Sequence, residues 1–176
     1  MKTDNEILID KLTFTVAALE EDIKKIAAVA TQIWHEHFIT ILSLEQIDYM
    51  VDKFQSEQAI TSQIKSGGYT YYMITLDKNL IGYFALKEEQ TEQSLFLSKL
   101  YLSKDYRGYG IASKVFAFID DLCRLKGYHK IWLTVNRFND NTIKVYETKG
   151  FIKVRTQVAD IGNGFVMDDF IMEKPI

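Results

Sequence analysis

Between an alternating apolar run that ends near Leu102 and a helical pattern that opens at Ile111, the chain reads SKDYRGYG, with Arg107, Gly108 and Gly110 crowded together. A strand that hands over to a helix through two glycines has two explanations. One is a tight turn, because glycine accepts left-handed backbone without steric cost. The other is a negatively charged group lying against the main chain. The first amides of a helix lack intrahelical partners and, with the helix dipole, form an anion site. Gly108 and Gly110 carry no Cβ to hold a phosphate away from those amides, Arg107 adds a cation, and Ala112 and Ser113 keep the first turn slim. The stretch is not a dinucleotide fingerprint, since Ser113 stands where the third glycine of G-x-G-x-x-G belongs, and no Gly-Lys-Ser/Thr closes it as a P-loop. The glycines by themselves leave turn and cradle both open.

The pattern around the turn restricts the fold. LTFTVAAL (12–19) predicts a first strand, and EEDIKKIAAVATQIW spaces Ile23, Ile26, Ala27, Ala30 and Trp34 as one helical face. Ser43 and Gln46 are spaced as a capping box that opens a second helix, with Ile47, Met50, Val51 and Phe54 on its apolar side. A further short helix is expected from about Ser56 to Lys65, stopped by Gly67. The period then changes to two: YTYYMITL and LIGYFALKE form a hairpin about DKN, and SLFLSKLYL continues the antiparallel series. After the glycine turn, Ile111, Val115, Ile119 and Leu122 line a helix that Gly127 ends, and KIWLTV is a buried strand. A short helix from Thr142 to Lys149, closed by Gly150, precedes a last hairpin about Asn163-Gly164. Beside the further short helix, the order is β-α-α-β-β-β-α-β-α-β-β, a mixed α/β sheet.

Composition narrows the class. With 176 residues, 47% hydrophobic and 26% charged, and no proline-rich linker, the chain suits a single domain spanning 1–176. The only cysteine, Cys123, excludes an intramolecular disulfide and reads as a packed small hydrophobe in a reducing, cytoplasmic setting. The opening MKTDNEILIDK has only the apolar run ILI, broken by Asp10, so neither a signal peptide nor a membrane span is expected. A net charge of −3 lacks the basic footprint of a nucleic-acid binder. No His/Cys cluster has zinc spacing, so no metal is expected.

Two motifs then carry a resemblance. Arg107-Gly108-Tyr109-Gly110-Ile111-Ala112 is similar to the acyl-CoA-binding signature of the GNAT superfamily of N-acyltransferases. Downstream, NDNTIKVYETKGF resembles that family's second signature, with Asn139, Tyr146, Gly150 and Phe151 in place and Thr142 where alanine is usual. The resemblance runs from about residue 12 to the end. It implies a mostly antiparallel twisted sheet flanked by helices and an acetyl-CoA-dependent N-acetyltransferase of a small primary amine. The early W..HF and late YETKGF loosely resemble the bacterial polyamine and diamine branch.

What the resemblance implies for residues is specific. The amides from Arg107 to Ser113 would hold the pyrophosphate, and the backbone of Leu100, Tyr101 and Leu102 would pair with pantetheine. A β-bulge would splay that strand, although no bulge is visible in the sequence. The Leu100 amide would donate to the oxyanion, Asn139 would contact the cofactor, and Tyr146 would be the general acid. Asn139 is otherwise a loop residue or helix cap, and Tyr146 a packing tyrosine. Trp34, His35 and His37 are candidates for lining the acceptor pocket. No carboxylate lies on the strand LFLSKLYL to act as base, and Glu88, Glu89 and Glu92 read as solvated charges. Alternatives are a catalytically weak acyl-CoA-binding regulatory module, a peptide or protein N-acetyltransferase and, remotely, a nucleotide-binding protein. The acceptor, the acyl chain and the oligomeric state, a homodimer included, stay open.

Overall fold

The computed structural model describes residues 11–176; the ILI run and Asp10 lie outside the described residues. Seven strands form one sheet in the order β1-β2-β3-β4-β5-β7-β6. The chain divides into two compact units, one from residues up to Leu86 with Lys99–Ala112, the other from Lys87–Ser98 with Ser113–Ile176.

In the first unit, β1 (Leu12–Val16) pairs antiparallel with β2 (Tyr69–Leu76). Three helices connect them. In α1 (Glu20–Phe38) the residues at helical spacing are the ones buried, from Ile23 and Ile26 through Trp34 to Phe38. Leu19 at its N-cap offers no side-chain acceptor; Asp22 Oδ2 instead accepts from the Ala18 and Leu19 amides at 3.1 and 3.0 Å. Serines open α2 (Leu44–Gln55) and α3 (Glu57–Ser66), where Ser43 and Ser56 Oγ accept from the Gln46 and Ala59 amides, each at 3.2 Å. The core joins Ile23, Ile26, Ala30 and Ile60 to Tyr71 and Tyr83. Those buried phenols are satisfied by glutamines of the overlying helices: Tyr71 donates to Gln63 Oε1 at 2.7 Å, and Tyr83 to Gln55 Oε1 at 2.9 Å.

The helix α4 (Ile111–Leu125), which belongs to the second unit from Ser113 onward, buries Val115, Phe116, Ile119 and Cys123. Cys123 is fully buried, with Sγ 3.7 Å from the Tyr128 carbonyl oxygen, and burial pushes its thiol up. β5 (Lys130–Asn136) lies parallel to β4 (Ser94–Leu102) over a ladder from Ser94↔Lys130 to Leu97↔Leu133, where it stops. The helix α5 (Asp140–Thr148) follows, and β6 (Ile152–Gly162) and β7 (Phe165–Pro175) form the terminal hairpin. β6, at the end of the strand order, departs from regular pairing twice, between Lys153 and Arg155 and between Asp160 and Gly162. Lys174 and Asp120 pair at 2.6 Å, tying β7 to α4. No helix among the described residues is long and apolar enough to cross a membrane.

Three expectations shift. The first strand ends at Val16 rather than residue 19, because Ala17 onward turns into α1. The first hairpin closes through Asp77 and Lys78 alone, with φ of 49° and 69°, the left-handed pair of a two-residue loop, and Asn79 already belongs to β3 (Asn79–Glu89). The short helix expected at Thr142–Lys149 begins earlier, at Asp140.

Gly82, inside β3, is a residue whose role the sequence pattern hides. A Cβ there would press into the Tyr101 carbonyl oxygen and lie 2.9 Å from Leu102 Cδ2 and 3.1 Å from Leu102 Cα. Only glycine permits so close a backbone approach. Gly82→Ala should therefore lower the urea midpoint, by about 1–3 kcal/mol in stability. An unchanged midpoint would mean that β3 and β4 separate at little cost.

Candidate active site

The glycine turn is built from β4 outward. The Ser103 amide donates to the Ile81 carbonyl at 2.9 Å, ending the strand, and a single 3-10 turn spans Lys104–Tyr106. Gly108 and Gly110 then take φ of 84° and 81°, left-handed values that favour glycine, and α4 begins at Ile111. A Cβ on Gly108 would meet nothing within 4 Å, so its lack of a side chain answers no crowding within the chain. Its left-handed φ alone calls for glycine, and the open space beside it leaves room for an anion at the start of a fifteen-residue helix.

Arg107 does more than add charge. Its Nε donates to the Leu102 carbonyl at 2.9 Å, and Nη1 lies 3.4 Å from His37 Nδ1. A guanidinium only donates, so that His37 nitrogen faces it with a lone pair. Arg107 thereby fastens the turn to the end of β4 and the end of α1. Tyr109 is exposed, whereas the Ile111 side chain is buried and offers the turn only its backbone. Lys149, unnoticed in the sequence, donates to Ser113 Oγ at 2.7 Å and brings a second cation to the first turn of α4. Its position just before the motif's Gly150 was the available signal.

Leu100, Tyr101 and Leu102 are half-buried and lie beyond the β4–β5 ladder, which ends at Leu97. Trp34 is only 4% exposed and packs on Phe38 and Tyr101, with ring centroids 4.4 and 5.6 Å apart. Its buried Nε1 points towards the Tyr83 hydroxyl without closing a hydrogen bond. Trp34 thus backs Tyr101 instead of presenting a ring to solvent. His35 and His37 go to different partners. His35 Nδ1 lies 2.7 Å from the Thr31 carbonyl and Nε2 2.7 Å from Asp48 Oδ1, two acceptors that favour the doubly protonated ring and raise its pKa.

In the second unit, Asn139 is buried at the N-cap position of α5, but its side chain does not cap the helix. Tyr146 is 8% exposed and packed by Phe116 and Phe151, with centroids 6.0 and 5.8 Å away. Burial pushes its phenol up to about 12, so the hydroxyl keeps its proton at neutral pH. Of the glutamates expected to be solvated, Glu88 is exposed and ion-paired at the surface, whereas Glu89 is partly buried. Glu88 takes Lys126 Nζ and the Tyr128 hydroxyl, each at 2.8 Å, and Glu89 takes Trp132 Nε1 at 2.7 Å and Ser94 Oγ at 3.0 Å. Asp169, also missed, is a buried carboxylate on β7 opposite Asn136; burial and then Asp168 push it up to about 6. A doubled acid inside an apolar strand was the clue.

The acetyltransferase (GNAT) family model matches residues 17–151, taking in both motifs. An uncharacterized N-acetyltransferase from the pepI 3' region of Lactobacillus delbrueckii subsp. lactis is 23% identical over 167 residues, covering 92% of this chain and 96% of that protein. Among solved structures, the PaiA N-acetyltransferase of Thermoplasma acidophilum in complex with coenzyme A is 24% identical with a TM-score of 0.73, covering 93% of this chain and 99% of that one. A spermidine N-acetyltransferase SpeG chimera from Vibrio cholerae and hSSAT is 21% identical with a TM-score of 0.70, covering 94% of this chain and 95% of that one. The strand order, the glycine turn and the family match agree, and the chain belongs to the acetyltransferase (GNAT) family.

Proposed function

We propose that this chain transfers the acetyl group of acetyl-CoA to a small primary amine, with polyamines the first class to test, in the cytoplasm. The observation that carries the reading is the left-handed glycine turn, open at Gly108 and leading into α4. Its amides from Arg107 to Ser113 suit a pyrophosphate, and the Ser113 hydroxyl accepts from Lys149. Polyamines come first because one structural neighbour is a spermidine N-acetyltransferase, and a net charge of −3 favours a cationic acceptor.

Each residue then has a task. The backbone of Leu100, Tyr101 and Leu102 pairs with pantetheine, and the Leu100 amide donates to the oxyanion that develops as the amine adds to the acetyl carbonyl. Asn139 contacts the cofactor, and Trp34, His35 and His37 shape the acceptor side. The Tyr146 hydroxyl donates to the departing sulfur. An ammonium near pKa ~10 must first lose a proton. Since β4 carries no carboxylate, Asp169, ionised at neutral pH, is the candidate acceptor of that proton.

Thiol release from acetyl-CoA against a panel of polyamines, amino acids and peptides tests the whole reading. Binding without transfer to any of them would favour an acyl-CoA-binding regulatory module.

The cradle has a matched control. Gly108 and Gly127 have φ of 84° and 72°, and at neither would a Cβ meet anything within 4 Å. Both alanine variants should lose comparable intrinsic stability, about 1–2 kcal/mol from left-handed strain. At 100 times its dissociation constant, acetyl-CoA should stabilise wild type and Gly127→Ala by about 2.7 kcal/mol. Gly108→Ala should lose most of that gain, and an equal thermal shift in both variants would remove the pyrophosphate assignment.

Tyr146→Phe removes one oxygen and little packing. A phenol near 12 is a weak acid towards a thiolate, so kcat should fall by the lower end of general-acid effects, about 10²-fold, with the acetyl-CoA dissociation constant unchanged. A wild-type rate under chemistry-limited conditions would assign Tyr146 to packing.

Asp169 must be ionised to accept a proton, so wild-type kcat should fall as pH drops through about 6. Asp169→Asn should be slow at every pH and lack that limb. An Asp169→Asn profile that keeps the limb would place the base elsewhere.

A further inference from the structure

Lys99 is a buried cation that the fold does not need. It leaves 7% of its surface exposed, on β4 immediately before Leu100. Its Nζ donates to Gln63 Oε1 at 2.7 Å and lies 5.6 and 5.4 Å from the ring centroids of Tyr69 and Tyr71. Among the described residues no carboxylate pairs with it. Aromatic faces and one amide oxygen recover only part of the hydration an ammonium loses on burial.

Nor does its partner require it. Gln63 Oε1 also accepts from the Tyr71 hydroxyl at 2.7 Å, and Gln63 Nε2 donates to the Phe54 carbonyl at 3.1 Å. Without the ammonium, that oxygen keeps a donor. An unbranched apolar side chain of similar length would pack on the same rings with no orphaned polar atom. Stability alone therefore disfavours lysine at this position.

We infer that Lys99 is a positioning residue of the acetyl transfer, holding a buried positive charge one residue along β4 from the Leu100 amide so that this amide faces the developing oxyanion in a more positive local field. The inference rests on the oxyanion role proposed for Leu100. In a desolvated setting a charge acts over several ångströms with little screening. The titratable groups around Lys99 are tyrosines: Tyr69 and Tyr71 on β2 and, stacked beyond Tyr71, Tyr83 on β3. Burial raises the phenols of Tyr71 and Tyr83, so both stay neutral while Lys99 titrates. Gln63, from α3, carries no charge.

The charge is itself switchable. Burial lowers the Lys99 ammonium from 10.5 to about 8. Below pH 8 both folded and unfolded chains hold this proton, and the burial penalty is present in full. Between about 8 and 10.5 the folded chain has shed it while the unfolded chain keeps it, so this group makes the fold more stable as pH rises.

The test compares kcat of wild type and Lys99→Met at saturating acetyl-CoA and amine from pH 6 to 10, with melting temperatures and acetyl-CoA affinity alongside. Taking the ratio of the two rates cancels titration of the acceptor amine. Lys99→Met should melt higher at pH 7, bind acetyl-CoA equally and turn over about tenfold more slowly below pH 8. The ratio should approach one above pH 9, where wild type has lost the same charge. Lys99→Arg, charged throughout, should keep its rate advantage over Lys99→Met to pH 10. A ratio of one at every pH, a ratio independent of pH, or a Lys99→Met protein that melts lower would each overturn the inference. A wild type that acetylates no amine removes the oxyanion reading, and the inference with it. An active wild type matched by Lys99→Met removes the inference alone.

Discussion

The close approach of β3 to β4 governs where the chemistry-bearing backbone lies. Gly82 lets the Tyr101 carbonyl and the Leu102 backbone come in where any side chain would collide. Just beyond, the Ser103 amide reaches the Ile81 carbonyl and ends the strand. The 3-10 turn, the two left-handed glycines and the first turn of α4 follow from that endpoint. Arg107 locks it by grasping the Leu102 carbonyl. The absence of a side chain at Gly82 on β3 thus matters to the turn as much as the turn's own glycines, although the two are far apart in sequence.

Polar groups buried in the first unit follow a division of labour. Gln55 and Gln63 serve the Tyr83 and Tyr71 hydroxyls, so large amphipathic rings can form the core without stranded hydroxyls. Gln63 adds the Phe54 carbonyl and Lys99, linking the end of α2, the body of α3, β2 and β4 through one amide. Such a hub is specific because each of its atoms has an assigned partner, and its cost lies in the cation it leaves without a counter-charge.

How much was legible in the sequence depended on the range of the interaction that decided each feature. Local chemistry was readable: Ser43 as a cap, Asn163-Gly164 as a hairpin loop, and Gly108 with Gly110 as a strand-to-helix junction. Helix ends set by weaker signals were not, which is why α5 starts two residues before Thr142 and β1 stops short of residue 19. Features decided across the sheet were silent. Gly82 looked like an ordinary strand residue until β4 lay beside it, and nothing in the strand SLFLSKLYL marked Lys99 as the cation over which Gln63 and two tyrosines close. Glu89 was misjudged for the same reason, since its donor Trp132 comes from 43 positions away. The family motifs bridged part of this gap, because a motif stores long-range geometry that periodicity does not.

The two irregularities of β6 bear on solubility. A terminal strand displays a row of amides and carbonyls to which another chain's strand could add. On β6 that row is interrupted near Lys153 and again near Asp160, and Lys153, Arg155 and Asp160 supply charge along it. An incoming strand in regular register would lose alignment at each break and bring its side chains against like or unmatched charges. The exposed Val154 and Val158 can therefore remain on this edge without making it a continuous template for intermolecular sheet growth.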